Sequence, residues 1–129
     1  MDIVMIGSGN VAAVLGRKFD AAGHKIIQII SRNASAATEL AYEWDTESSN
    51  YFSVINNNAD VYILAVSDNA LTEIVHDLKL PGKVVAHTAG SVPKELLKNV
   101  TQHYGVFYPL QSIRKEITRL PDIPIFFEG

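Results

Sequence analysis

Residues 3–6 are apolar and run without a break into Gly7-Ser8-Gly9-Asn10-Val11-Ala12. This junction constrains the fold more than any other stretch. An apolar run of strand length that ends on glycine, then at once takes up helical period, describes a strand turning tightly into a helix. Val11, Ala12, Leu15, Phe19 and Ala22 are expected on one face of that helix. Gly23 supplies its left-handed stop. A second apolar run, 26–30, then ends in Ser31-Arg32-Asn33.

The same alternation continues. Residues 61–66 and 84–86 are further runs of strand length, nearly all apolar, as strands buried on both faces of a parallel sheet read. A second helix is expected over 34–44, with Ala37, Leu40, Ala41 and Trp44 inward. A short strand near 47–50 and a helical turn over 52–57 fill the next stretch. Ser67 or Asp68 can cap a helix running to about Leu78. Pro81-Gly82 reads as a turn, and Ser91 as the cap of a helix over 92–99. Residues 104–108 and 123–127 read as two aromatic-rich strands, joined by a long connection from Pro109 to Pro124 of the kind that forms lids or docking segments. Strand alternating with helix predicts an α/β fold, a doubly wound, mostly parallel sheet.

Composition bounds the function. A chain of 129 residues, 47% hydrophobic and 19% charged, makes one ordinary globular domain. Its net charge of −3 gives no general attraction to nucleic acid or acidic membranes. It has no cysteine, so disulfides and thiolate metal sites are excluded. No basic segment precedes the first apolar run and no stretch is long enough to span a bilayer, so a soluble, cytoplasmic domain is expected. The four histidines show no metal-site spacing, and no metal is expected.

Gly7-x-Gly9-x-x-Ala12 stands where a dinucleotide-binding loop needs it. Gly7 allows the turn, Gly9 lets backbone approach a pyrophosphate, and Ala12 is small enough for helix to pack on strand. The N–H groups at the helix start then face the phosphates. A Gly-Lys-Ser/Thr ending, which a nucleoside triphosphate loop requires, is absent. A cofactor with a free ribose 2′-hydroxyl commonly meets an Asp or Glu at the end of the second strand. Here Ser31, Arg32 and Asn33 stand there instead. A guanidinium matches phosphate, so NADP is expected over NAD. The alternative is a solvated surface arginine at the start of the next helix.

The segments IGSGNVA, SRN, DVYILAVSD, HTAGS and YGVFYPLQS together resemble a family of NADP oxidoreductases of largely unassigned function. Its members carry an N-terminal Rossmann domain and a helical C-terminal domain. The pattern is more distantly similar to pyrroline-5-carboxylate reductase, deazaflavin-dependent NADP reductases and 3-hydroxyacid dehydrogenases. The resemblance implies that Gly7, Ser8, Gly9, Asn10 and Val11 contact the pyrophosphate and that Ser31, Arg32 and Asn33 hold the 2′-phosphate. It implies that Val66, Ser67 and Asp68 lie along the cofactor, and that the segment from His87 to Ser91, with Ala89 and Gly90, approaches the nicotinamide. This chain stops at Gly129, so the family's helical domain is expected to be absent from 1–129, and a homodimer is expected.

Catalytic residues stay unassigned, with His87, Ser91, Tyr108 and Gln111 as candidates. His87 can act as a general acid, since an imidazole titrates near neutrality, or can simply end a strand bonded to backbone. Ser91 can be a cap rather than a reacting hydroxyl. Tyr108 and Gln111 can orient a small substrate, or Tyr108 can be strand packing. The expected function is NADP(H)-dependent hydride transfer to or from a small carbonyl, imine or cofactor partner. The alternative is an NADP(H)-binding sensor or regulatory module without catalysis.

Overall fold

The first strand, β1 (Asp2–Ile6), is an interior strand of the sheet, and its residues 3–6 are wholly buried. Burial on both faces is why it reads as an unbroken apolar run. The structure, a computed structural model, describes residues 1–88, 94–107 and 125–126, without the side chains of 94, 106, 107, 125 and 126. The chain continues through α1 (Asn10–Ala21), β2 (Lys25–Ile30), α2 (Ala34–Glu43), β3 (Glu47–Ser49) and a 3-10 turn, Phe52–Val54. Then follow β4 (Val61–Leu64), α3 (Asp68–Asp77), β5 (Val84–His87), a second 3-10 turn (Lys94–Leu97), β6 (His103–Phe107) and β7 (Ile125–Phe126).

The strand order is β3-β2-β1-β4-β5-β6-β7. Every neighbouring pair is parallel except β6 with β7. From β1 the chain first winds outward through β2 and β3, then returns and winds the other way from β4. The direction reverses between β1 and β4, and the carboxyl ends of those strands open a crevice there. This is the doubly wound, mostly parallel α/β sheet expected from the alternation of elements.

The two faces of the sheet bury separate cores. Ile3, Met5, Ile29 and Ile63 pack with Leu15 and Phe19 of α1 and Leu40 of α2. Val4, Ile6, Tyr62 and Leu64 pack with Leu71 and Ile74 of α3 and Leu97 of the second 3-10 turn. Neighbouring residues of a strand point to opposite faces, so each strand serves both cores.

Several local expectations are corrected. Val11 does not join the inward face of α1; it is 41% exposed at the mouth of the crevice, and Ala22 is only half-buried. The buried face is Ala12, Leu15, Gly16 and Phe19. Gly16 leaves room for the ring of Trp44, which ends α2 as its C-cap; a Cβ at position 16 would overlap that ring. The expected turn over 52–57 is shorter, and of the expected helix over 92–99 the described part is the 3-10 turn. The run 26–30 is not uniform either. Its pairing with β1 slips so that Ile3 faces Ile26 while Val4 faces Gln28. Gln28, 2% exposed, donates to the Val54 carbonyl (3.0 Å) and to Glu47 (3.3 Å) and accepts from the Asn56 N–H (2.7 Å). One buried amide thus organises the irregular stretch between β3 and β4. The connection 109–124 lies outside the described residues.

Candidate functional site

The crevice at the switch point is a cleft of about 590 Å³, lined from the ends of β1, β2, β4 and β5. That size suits a small organic ligand or cofactor. Its floor is the glycine loop. Gly7 has φ +121°, and a Cβ there would run into the Ala65 carbonyl at the end of β4. Gly7 is therefore glycine for two reasons, an unusual backbone angle and close approach to β4. Its N–H donates to the Ile30 carbonyl at 2.8 Å, tying the loop to the end of β2.

Gly9 differs. It is the N-cap of α1 with φ −81°, an ordinary angle, and a Cβ there would meet nothing within 4 Å. Among the described residues no packing requires glycine at this position. What the missing side chain leaves open is the approach to the start of α1, whose first N–H groups have no acceptor within the helix. The first turn of α1 holds no acidic residue. Together with the positive end of the helix dipole this is a cradle for an anion such as a pyrophosphate.

Ser8 bonds across to Ser31, Oγ to Oγ at 2.7 Å. Ser31 Oγ also accepts from the Asn33 N–H at 3.2 Å. Asn33 caps α2, its Oδ1 accepting from the Ala36 N–H at 3.1 Å. Between them Arg32 reaches out 62% exposed and pairs with Glu73 of α3, Nη1 to Oε2 at 2.8 Å. On the other wall Ser67 caps α3 by accepting from the Ala70 N–H, and Asp68 opens the helix. The cleft brings Gly7, Ser8, Gly9, Asn10, Val11, Ser31, Arg32, Asn33, Val66, Ser67 and Asp68 together.

His87 lies within the sheet. β5 runs one residue further than expected and includes it, opposite Leu64 of β4 and Val106 of β6. It is 0% exposed and does not line the cleft. The first residue beyond the strand is Thr88, and it does line the cleft. Thr88 N–H donates to the Leu64 carbonyl at 3.2 Å. Ala89, Gly90, Ser91, Tyr108 and Gln111 lie outside the described residues. Phe52, Ala70 and Ile74 also line the cleft, and no sequence motif points to them. Phe52 comes from the first 3-10 turn and Ala70 and Ile74 from α3, two elements that the fold brings to one cleft. Among the described residues no group of three or more His, Asp or Glu is placed to hold a metal. No described helix is long and apolar enough to cross a membrane.

A doubly wound sheet with a glycine loop at its switch point defines the class, a Rossmann-type fold. The model of the family described as NADP oxidoreductase, coenzyme F420-dependent, matches residues 2–90, and the chain belongs to that family. Among solved structures it is similar to "putative NADP oxidoreductase BF3122 from Bacteroides fragilis", with 35% identity and a TM-score of 0.77 over 88% of this chain and 45% of that one. It shares the fold of 1-pyrroline-5-carboxylate reductase from Streptococcus pyogenes, with 16% identity and a TM-score of 0.66 over 82% of this chain and 40% of that one. It also shares the fold of an imine reductase from a Pseudomonas species, with 20% identity and a TM-score of 0.57 over 68% and 32% of the two chains. The chain thus spans less than half the length of these proteins. No curated protein sequence matches it.

Proposed function

We propose that this chain is the NADP(H)-binding domain of an oxidoreductase that moves hydride to or from a small carbonyl, imine or cofactor partner. The observation that carries the reading is Gly9, a glycine that no packing among the described residues requires, open over the start of α1 at the switch point. In this reading Gly7 to Val11 hold the pyrophosphate. Ser31, Arg32 and Asn33 hold the 2′-phosphate. Phe52, Ala70 and Ile74 give the adenine an apolar seat. Val66 to Asp68 and Thr88, with the segment 89–91, lie toward the nicotinamide.

The bound nicotinamide supplies or accepts the hydride, and the protein's part is to hold and orient it. Arg32 supplies the charge that tells a 2′-phosphate from a hydroxyl. Ser67 and Asn33 serve mainly by capping α3 and α2, which holds both walls of the cleft in place. In this reading two copies of the chain associate through the C-terminal strands. A second reading, a binding module without chemistry of its own, is favoured by the burial of His87 away from the cleft.

Calorimetric titration of the chain with NADPH and NADH tests the proposal. NADPH is expected to bind more tightly by about 1.5–3 kcal/mol, the worth of a charged hydrogen bond. Arg32→Asp is expected to abolish or reverse the preference. Equal affinities for the two cofactors in the unaltered chain would sink it.

A further inference from the structure

One ion pair reaches across the mouth of the cleft. Arg32 stands on the turn after β2, and Glu73 stands midway along α3, with Nη1 and Oε2 2.8 Å apart. On the side of Arg32 the cleft is lined by Ser31 and Asn33, and on the side of Glu73 by Ala70 and Ile74. Glu73 directly precedes Ile74 and follows Ala70 by one turn, so the carboxylate sits at the rim of the wall. The cation that would meet a 2′-phosphate is thus already held by a carboxylate of the chain.

We infer that Glu73 is a specificity-determining residue, which competes with the 2′-phosphate of the cofactor for Arg32. The inference rests on the NADP(H) reading above. Both side chains are 62% exposed, and an exposed ion pair is a weak one. A phosphate offers more charge and several acceptor oxygens to a guanidinium, so it takes Arg32 from Glu73 when it arrives. The exchange has a cost for NADP(H) alone. It breaks the resident pair and leaves a carboxylate close to a phosphate dianion, where like charges repel. A ribose 2′-hydroxyl carries no charge and leaves the pair intact. Glu73 therefore weakens NADP(H) binding, leaves NAD(H) nearly untouched, and keeps the preference smaller than Arg32 alone would set it. A merely positioning role has the opposite sign, because a Glu73 that held Arg32 ready for phosphate would strengthen NADP(H) binding.

The test is calorimetry of the whole 129-residue chain as wild type, Glu73→Gln, Arg32→Gln and the double variant. The probes are NADPH, NADH and adenosine 2′,5′-bisphosphate, which reports on the adenosine end alone. Glu73→Gln is expected to tighten NADPH and the bisphosphate about two- to fivefold, the factor an exposed ion pair is worth, with NADH affinity nearly unchanged. In the Arg32→Gln background the same change is expected to bring a smaller gain. Unchanged or weaker NADPH binding by Glu73→Gln overturns the inference, and so does an equal gain for NADH. In that failure Arg32→Gln still lowers NADPH affinity. If Arg32→Gln changes nothing and the unaltered chain does not prefer NADPH, the NADP(H) reading itself has failed and the role of Glu73 falls with it.

Discussion

Ser8 and Ser31 meet Oγ to Oγ at 2.7 Å, and this contact joins the glycine loop to the turn after β2. In the proposed reading the two regions hold different phosphates of one cofactor, so their relative placement bears on affinity. Ser31 also accepts from the Asn33 N–H, which places it in both networks. Ser31→Ala is expected to lower stability by about 1 kcal/mol, the usual worth of a hydrogen bond, and to weaken NADPH more than NADH. Ser8→Ala is expected to weaken both cofactors alike. A double-mutant cycle by calorimetry checks this; additive effects of the two changes would show that the serines act independently.

Gly7 and Gly9 stand two residues apart and are expected to fail in different ways. At Gly7 a side chain meets the Ala65 carbonyl and an unfavourable φ of +121°. Gly7→Ala is expected to cost about 1–3 kcal/mol of stability. At Gly9 a Cβ meets nothing within 4 Å among the described residues. Gly9→Val is expected to stay folded, at the modest cost of losing a favoured N-cap residue, and to lose NADPH binding. Thermal melts and titration of both variants separate the cases. A Gly9→Val variant that binds NADPH normally would remove the loop from the phosphate site.

Gly16 does not line the cleft; it lies at the packing of α1 on α2, where the Trp44 ring occupies the space of its absent side chain. Gly16→Ala is expected to destabilise by about 1–3 kcal/mol through overpacking, and to leave cofactor affinity unchanged in the folded fraction. Trp44 is the one tryptophan, so its fluorescence follows the unfolding directly. Replacing Trp44 by Phe in the same chain is expected to recover part of the loss. Full stability of Gly16→Ala alone would show that α2 can shift without cost.

Tyr62 carries the pH prediction. Its hydroxyl is buried under the 56–59 loop, donating to the Asn56 carbonyl (2.5 Å) and accepting from the Ala59 N–H (3.3 Å). Burial raises its pKa above the ordinary tyrosine value, against the smaller opposing pull of the Ala59 N–H. Between the unfolded and folded pKa values the folded chain therefore holds the extra proton. The stabilisation is fully present below about pH 10, the unfolded value, and is lost as pH rises through the folded one. Denaturant titrations at rising alkaline pH should show this fall. In Tyr62→Phe that part of the fall should vanish, at a cost of about 1–3 kcal/mol near neutrality from two backbone groups left unpaired. An unchanged alkaline limb would place the titration elsewhere.

The centre of this fold is legible in the sequence because its cause is local. A strand buried on both faces must be apolar at every position, so 3–6 and 61–64 announce themselves. A strand that turns at once into a helix needs glycine where Gly7 stands. Ser67, one of the two caps expected for α3, follows from its hydrogen-bonding chemistry at a helix start. These signals need no knowledge of what lies across the sheet.

The relationships across elements had no such signal. The slip in β2 pairing that buries Gln28 depends on the neighbouring strand. The extra residue of β5, which draws His87 into the sheet and leaves Thr88 at the cleft, depends on its register with β4 and β6. Trp44 in the slot of Gly16 and Glu73 on Arg32 join residues 28 and 41 positions apart, through the packing of separate elements. By itself the sequence determined the order of strands and helices and the place of the glycine loop, because burial and backbone geometry act on neighbouring residues. Only the tertiary structure decided which side chains line the cleft and which partner already holds its cation, because crossovers and register set contacts between elements that are distant along the chain.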